Sequence, residues 1–236
     1  MSYFPTVSVP NLSRAQFIWG PAPTLSPGGS FGPLPTNAGA GQVQVVNSPG
    51  SILVGHYRQQ YTTGTGANAV AGLRGTVFMA HTVAGFRIKW RFACEAFTSG
   101  HRGFVGLSPN AAAFPSGAVE PSTLVNIIAF AFDSTMTNWH VMHNDASGTA
   151  TQVDTTIAIN ATDLLEGELS IEPSGSTVTW SLRNVTTGAR ASGTSSGSGN
   201  VPGNAALGVQ MQASAAATGV AARLTHILMA LECGPS

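Results

Sequence analysis

The chain has 236 residues, a formal net charge of zero and only 8% charged side chains against 43% hydrophobic ones. That length fits one β domain with an arm, or two small domains, and the charge content lies far below the roughly 25% of an ordinary soluble domain. A neutral chain without a basic run excludes electrostatic nucleic-acid binding, and no apolar run reaches the length of a membrane span.

With a single lysine, Lys89, the surface must be made largely of Ser, Thr, Asn, Gly and Ala. Such a surface suits a subunit covered by its neighbours in an assembly; a secreted domain with an uncharged surface is the alternative. The first ten residues lack the charged and apolar regions of a secretory signal, so the expectation is synthesis without a cleaved leader.

Residues 1 to about 41 are rich in Pro and Gly, which block helix and central strand. Yet Phe17, Trp19 and Phe31 are too apolar for a solvated linker. The expectation is an extended arm that docks on a larger particle through these residues, with a strand-and-loop part of the main domain as the alternative. Short strands are expected at 42–46, 52–58 and 76–80, with a flexible loop at 62–72. Whether 42–84 belong to arm or body stays open; the working division is 1–84 and 85–236.

From residue 85 the pattern changes. Phe86, Ile88, Trp90 and Phe92 alternate with Arg87, Lys89 and Arg91, a period of two that predicts a half-buried strand. A second strand is expected at 103–108, and 125–132 is apolar on both faces, as a central strand should be. Residues 138–143 and 149–155 flank Asn-Asp-Ala-Ser-Gly, a hairpin turn. A further hairpin pairs 167–174 with 176–184; 189–204 reads as a long polar connection, and strands at 206–214 and 220–233 close the chain. One helical turn is expected at Ala161–Leu165, capped by Thr162 or Asp163. The fold class is therefore all-β and antiparallel. Cys94 and Cys233 lie on apolar strand positions as free thiols, a disulfide remaining open.

No catalytic constellation emerges, and a non-enzymatic protein is expected. Glu166, Glu168 and Glu172 resemble a glycosidase's paired acids, but Leu169 and Ile171 hold the opposite parity, which places the acids on a strand's wet face. His140 and His143 point to opposite faces of a strand and cannot share an ion. Asp133, Asn144, Asp145 and Asp154 lie near turns without the connected oxygen-rich loop that calcium needs. No metal and no cofactor is expected. Trp90, Trp139 and Trp180 hold apolar positions and are core candidates. Ligand contacts are sought instead in the loops, at Arg102, Asp133, Asn138, Asn144 and Asp145.

Residues 85–233 resemble a domain of tailed-phage fibre and other virion proteins. The likeness rests on Phe132–Asp133, Asn138–Trp139, Asn144, Asp145, Ser147–Gly148 and Asp154, followed by the second hairpin and Asn200-Val201-Pro202. It implies a concanavalin-like or jelly-roll β-sandwich, assembled as a homotrimer with other virion proteins, located in the virion, with exposed loops contacting a host surface glycan. The resulting expectation is a phage structural protein such as a tail fibre. The alternatives are a lectin-like carbohydrate-binding module and a capsid decoration protein; a polysaccharide depolymerase is the weaker rival.

Overall fold

The computed structural model describes residues 15–19, 33–38, 59–75, 80–81, 83–109, 118–196, 200–203, 205–215 and 219–233, with backbone alone at 15–19, 33–38, 59, 74–75 and 80–81. In chain order the strands are β1 (Ala15–Trp19), β2 (Pro33–Ala38), β3 (Gln59–Thr62), β4 (Val70–Gly75), β5 (Ala80–His81), β6 (Phe86–Ala96), β7 (Arg102–Ser108) and β8 (Ile127–Phe132). They continue as β9 (Asn138–Asn144), β10 (Thr151–Ala158), β11 (Leu164–Ile171), β12 (Thr177–Asn184), β13 (Arg190–Ser196), β14 (Ala206–Ser214) and β15 (Arg223–Cys233).

The described strands build two antiparallel sheets, the expected sandwich. A seven-stranded sheet runs β1-β15-β6-β11-β12-β13 with β3 also on β15; an eight-stranded sheet runs β10-β9-β8-β7-β14-β4-β2 with β5 also on β14. Alternation explains the layering. In β6 the aromatic and aliphatic positions turn inward while Arg87 and Lys89 stand exposed. Trp90, Trp139 and Trp180 are all buried in the core. Phe92 of one sheet meets Phe130 and Trp139 of the other, with ring centroids 6.3 and 5.1 Å apart. Phe132 meets Trp139 edge-on at 4.9 Å. Each such buried ring contributes about 2–3 kcal/mol through its area. The Phe130 ring reaches across to the backbone of Gly167, where a Cβ would stand only 2.5 Å from it.

Strand β8 is buried on both faces, as its sequence predicts. Its outer residues Ile127, Ala129 and Ala131 form a second apolar cluster with Phe104, Met142, Leu124 and Ala150. A 3-10 turn at Pro121–Thr123 lies in the segment that covers this face. The middle of the eight-stranded sheet is thus closed on the outside as well as the inside.

Several expectations need correction. The loop expected at 62–72 contains the start of β4, which pairs with both β14 and β2. Gly72 is required there, because a Cβ would lie 2.2 Å from the Met211 carbonyl oxygen. The polar connection expected at 189–204 contains β13, an edge strand held by its ladder to β12 rather than by apolar alternation. The helical turn expected at Ala161–Leu165 is a simple turn that leads into β11; Asn160, not Thr162 or Asp163, supplies the side-chain acceptor, to the Thr162 N–H. Strands from both sides of residue 84 share the two sheets, β1 and β3 hydrogen-bonding to β15 and β4 to β14. The strands expected at 42–46 and 52–58 lie outside the described residues.

Both cysteines are free. Cys94 lies opposite Leu224 and Cys233 opposite Phe86, at the two ends of the β6–β15 ladder. That separation, about 26 Å along a strand, rules out a bond between them.

Candidate functional site

The outer face of the seven-stranded sheet carries charge in a chain that has little. Cross-strand register sorts it into rows. One row reads Leu228, Arg91, Glu166, Arg183, Arg190 across β15, β6, β11, β12 and β13; the next reads Ala230, Lys89, Glu168, Ser181, Ser192; a third reads Glu232, Arg87, Ser170, Thr179, Thr194. Sheet parity produces this: on β6, β11 and β12 these positions alternate with core residues, and the ladder to β12 sets the matching face of β13. Half of the ten Lys and Arg residues stand in these rows.

The rows are tied by ion pairs. Arg87 Nε donates to Glu168 Oε1 at 2.5 Å and Lys89 Nζ lies 3.3 Å from Glu168 Oε2. Arg91 donates from Nε to Glu166 Oε1 at 2.9 Å, and its Nη2 bonds the same oxygen. Arg183 Nη1 reaches Glu166 Oε2 at 3.7 Å. Burial raises the Glu168 carboxyl, but the Arg87 hydrogen bond and the Arg87 and Lys89 charges outweigh it and hold the group below the usual range. The Arg87 guanidinium is raised in return, chiefly by the hydrogen bond to Glu168. As half-exposed pairs these contribute little to stability, about 1 kcal/mol or less each. Their consequence is geometric: long side chains are held in fixed places.

Between them runs a trough of about 570 Å³, bordered by four cationic side chains (Lys89, Arg91, Arg183, Arg190) and two carboxylates (Glu166, Glu168), with the hydroxyls of Ser181 and Ser192 and the apolar Leu228 and Ala230. It spans five strands, about 19 Å at the usual strand spacing, within the volume range of small-molecule sites. Fixed guanidinium and carboxylate groups beside hydroxyls can bind a polyhydroxylated ligand by many directed hydrogen bonds.

The loop residues picked out from the sequence fall at two opposite ends of the eight-stranded sheet. Arg102, Asp133 and Asn138 meet at one end, where β7 begins, β8 stops and β9 starts. There Arg102 pairs with Glu120 at 2.9 Å, Glu120 accepts from the Ser134 N–H and hydroxyl, and Asp133 accepts from the Ser122 N–H at 3.0 Å. Asp133 is buried in this closure. Asn138 donates to both carboxylate oxygens of Asp154 at 3.1 Å. Asp154 also accepts from the Thr156 N–H, the main reason its carboxyl is lowered. That bond holds Thr156 at φ +60 in the β10 bulge, a rare conformation for a β-branched residue.

Asn144 and Asp145 lie at the other end. Asn144 is fully buried and donates to the Leu124 and Gly148 carbonyls. Asp145 accepts from the Ser147 N–H at 2.8 Å and shapes the hairpin turn. Phe17 and Trp19 lie in β1, and Phe31 lies outside the described residues.

The two histidines do face opposite ways. His143 is fully buried between the sheets, within 2.6 Å of the Asn200 carbonyl and 2.7 Å of the Ser195 hydroxyl, while His140 stands on the outer side of β9. Among the described residues no group of three or more His, Cys, Asp or Glu could hold a metal ion. Arg183, Arg190, Ser181 and Ser192 were not singled out from the sequence. Their signal was the outward parity of β12 and β13, and it becomes visible only once β13 is known to be a strand.

The fold places the chain in a recognisable class. It is similar to a protein of unknown function from Shewanella oneidensis MR-1, with 14% identity over 95% of this chain and 88% of that one and a TM-score of 0.61. Peanut lectin with a bound nine-residue peptide aligns over 94% of this chain and 98% of its own at 12% identity and a TM-score of 0.62. Basic winged bean lectin with Tn-antigen aligns over 94% and 100% at 11% identity and a TM-score of 0.57. These likenesses define a concanavalin-like β-sandwich of the kind that legume lectins adopt. No family model and no curated protein matches the chain.

Proposed function

We propose that this protein is a non-catalytic, lectin-like carbohydrate-binding module that takes its glycan in the trough on the outer face of the seven-stranded sheet. The observation that carries the reading is the trough itself: fixed Arg–Glu rows and serine hydroxyls about 570 Å³ in extent, on a sandwich whose fold is similar to that of lectins. No acid of the trough is free to act as a lone proton donor, since Glu166 and Glu168 are both engaged by arginines, which favours binding over hydrolysis. The test is a glycan array probed with the full chain. Binding to a defined set of glycans, lost in Glu166→Gln and Arg91→Gln variants of unchanged fold, is the expected result. A blank array, or binding untouched by both substitutions, refutes the site.

A second reading adds a particle to this module. The charge content of 8% and the fibre-like string from Phe132 to Asp154 favour a homotrimeric phage virion subunit, docked to other virion proteins through Phe17, Trp19 and Phe31, that contacts a host surface glycan. Light scattering on the full chain decides its first requirement: a trimer supports it and a monomer removes it.

A further inference from the structure

We infer that the trough selects acidic saccharides, binding a sugar carboxylate or sulfate between Arg183 and Arg190. The inference rests on the glycan-binding reading above and adds the ligand class. Its basis is an imbalance of charge at one place.

Arg183 and Arg190 stand directly opposite each other on β12 and β13. Like charges in that relation repel. The only carboxylate in their row is Glu166, which already bonds Arg91 and reaches Arg183 at 3.7 Å. Arg183 Nε is buried without a hydrogen-bond partner. Arg190 is exposed and has no ion pair among the described residues. Two guanidinium groups thus border the trough with a single carboxylate in their row, 3.7 Å from Arg183, and an oxyanion of a ligand completes the pair. Carboxylate and sulfate both match the guanidinium fork.

The surroundings say what carries that anion. Ser181 and Ser192 lie in the adjoining row, with Glu168 and Lys89 beyond. Hydroxyls and charges of both signs suit the hydroxyls of a sugar ring. Leu228 and Ala230 at the β15 end offer an apolar contact for a ring's C–H face. A nucleic acid fits poorly: the trough has an excess of only two positive charges, and Trp90 and Trp180 are turned into the core, away from any base. An acidic peptide brings carboxylates without the sugar hydroxyls that Ser181 and Ser192 would meet.

The experiment is titration calorimetry of the full chain against four probes: a neutral hexose oligosaccharide, an oligouronate, a sulfated oligosaccharide and polyglutamate. It is repeated on Arg190→Gln, on Arg183→Gln and on the control Arg223→Gln, which lies on β15 away from the trough. Arg190 is exposed on an edge strand, so its variant keeps the fold. We expect the oligouronate or the sulfated sugar to bind at least ~10-fold more tightly than the neutral one, and Arg190→Gln to lose about 10-fold. The control should change by less than about 2-fold. Which acidic probe binds identifies the anion. If the neutral sugar binds as tightly and Arg190→Gln leaves it unchanged, the inference falls while the glycan site stands. If polyglutamate binds as tightly as the acidic sugars, selection for saccharide falls. If no probe binds, both this inference and the glycan-binding reading fall.

Discussion

His226 should make this protein acid-labile in a way one substitution can isolate. Its ring is buried between the sheets, and Trp90 Nε1–H donates to His226 Nδ1 at 2.9 Å. Nδ1 is therefore the bare nitrogen, and protonating it destroys the bond and places a charge in the core. Burial pushes the group down from 6.5 to about 4. An unfolded histidine titrates near its ordinary value of about 6.5, so between that pH and about 4 the unfolded chain binds a proton that the folded chain refuses. The stabilisation is complete above the unfolded value and is lost as pH falls toward the folded one. A gap of that size corresponds to about 3 kcal/mol. The assay is urea unfolding followed by tryptophan fluorescence, at pH 7.5 and pH 4.5, on wild type and His226→Gln. Glutamine keeps an acceptor for Trp90 but does not titrate. The wild type should lose about 2–3 kcal/mol more than the variant between the two conditions. His101 and His143, both lowered chiefly by burial, contribute to both proteins and cancel. Equal losses in the two proteins would refute the reasoning.

Three further outcomes follow from the packing. His143→Ala removes the tie to Ser195 and the Asn200 carbonyl and should cost about 2–4 kcal/mol in urea unfolding at pH 7.5; a change below about 0.5 kcal/mol contradicts it. Gly167→Val drives a side chain into the Phe130 ring and should destabilise by about 1–3 kcal/mol or more, read as a lower melting temperature; an unchanged midpoint would mean that the sheets are not packed this closely. Burial pushes the Cys94 thiol up to about 12 and that of Cys233 to about 11, so neither should react rapidly with a thiol reagent at pH 8 until denaturant is added; a fast native reaction at Cys94 contradicts its burial.

The architecture was legible where a strand's environment is written in its own residues. β6 declares one wet and one dry face, and β8 declares two dry ones. The three core tryptophans followed from the same parity. β4 and β13 were missed because neither carries such a pattern. Gly72 stands in β4 for close backbone approach, and the inward positions of β13 are Ala191, Gly193 and Ser195, too small to signal a core. The site was the least legible part, because it is made by register. Arg91 and Glu166 are 75 residues apart in the chain, yet they meet across one ladder. Seen along the sequence, Glu166 and Glu168 are merely the solvated side of a strand. Arg102 and Asp133, the polar turn residues sought as ligand contacts, also close the end of the sheet together with Glu120 and Ser122. Polar type and turn position alone do not distinguish these two uses.

The central claim is that the ligand surface lies on the sheet and not in the loops. Backbone amide NMR tests it most directly, with the full chain titrated by the oligosaccharide that binds best in the array. The account predicts shifts concentrated at 89–91, 166–168, 181–183 and 190–192, the strands that frame the trough. Shifts confined to the turns at 133–138 and 144–149, with the sheet rows silent, would contradict it.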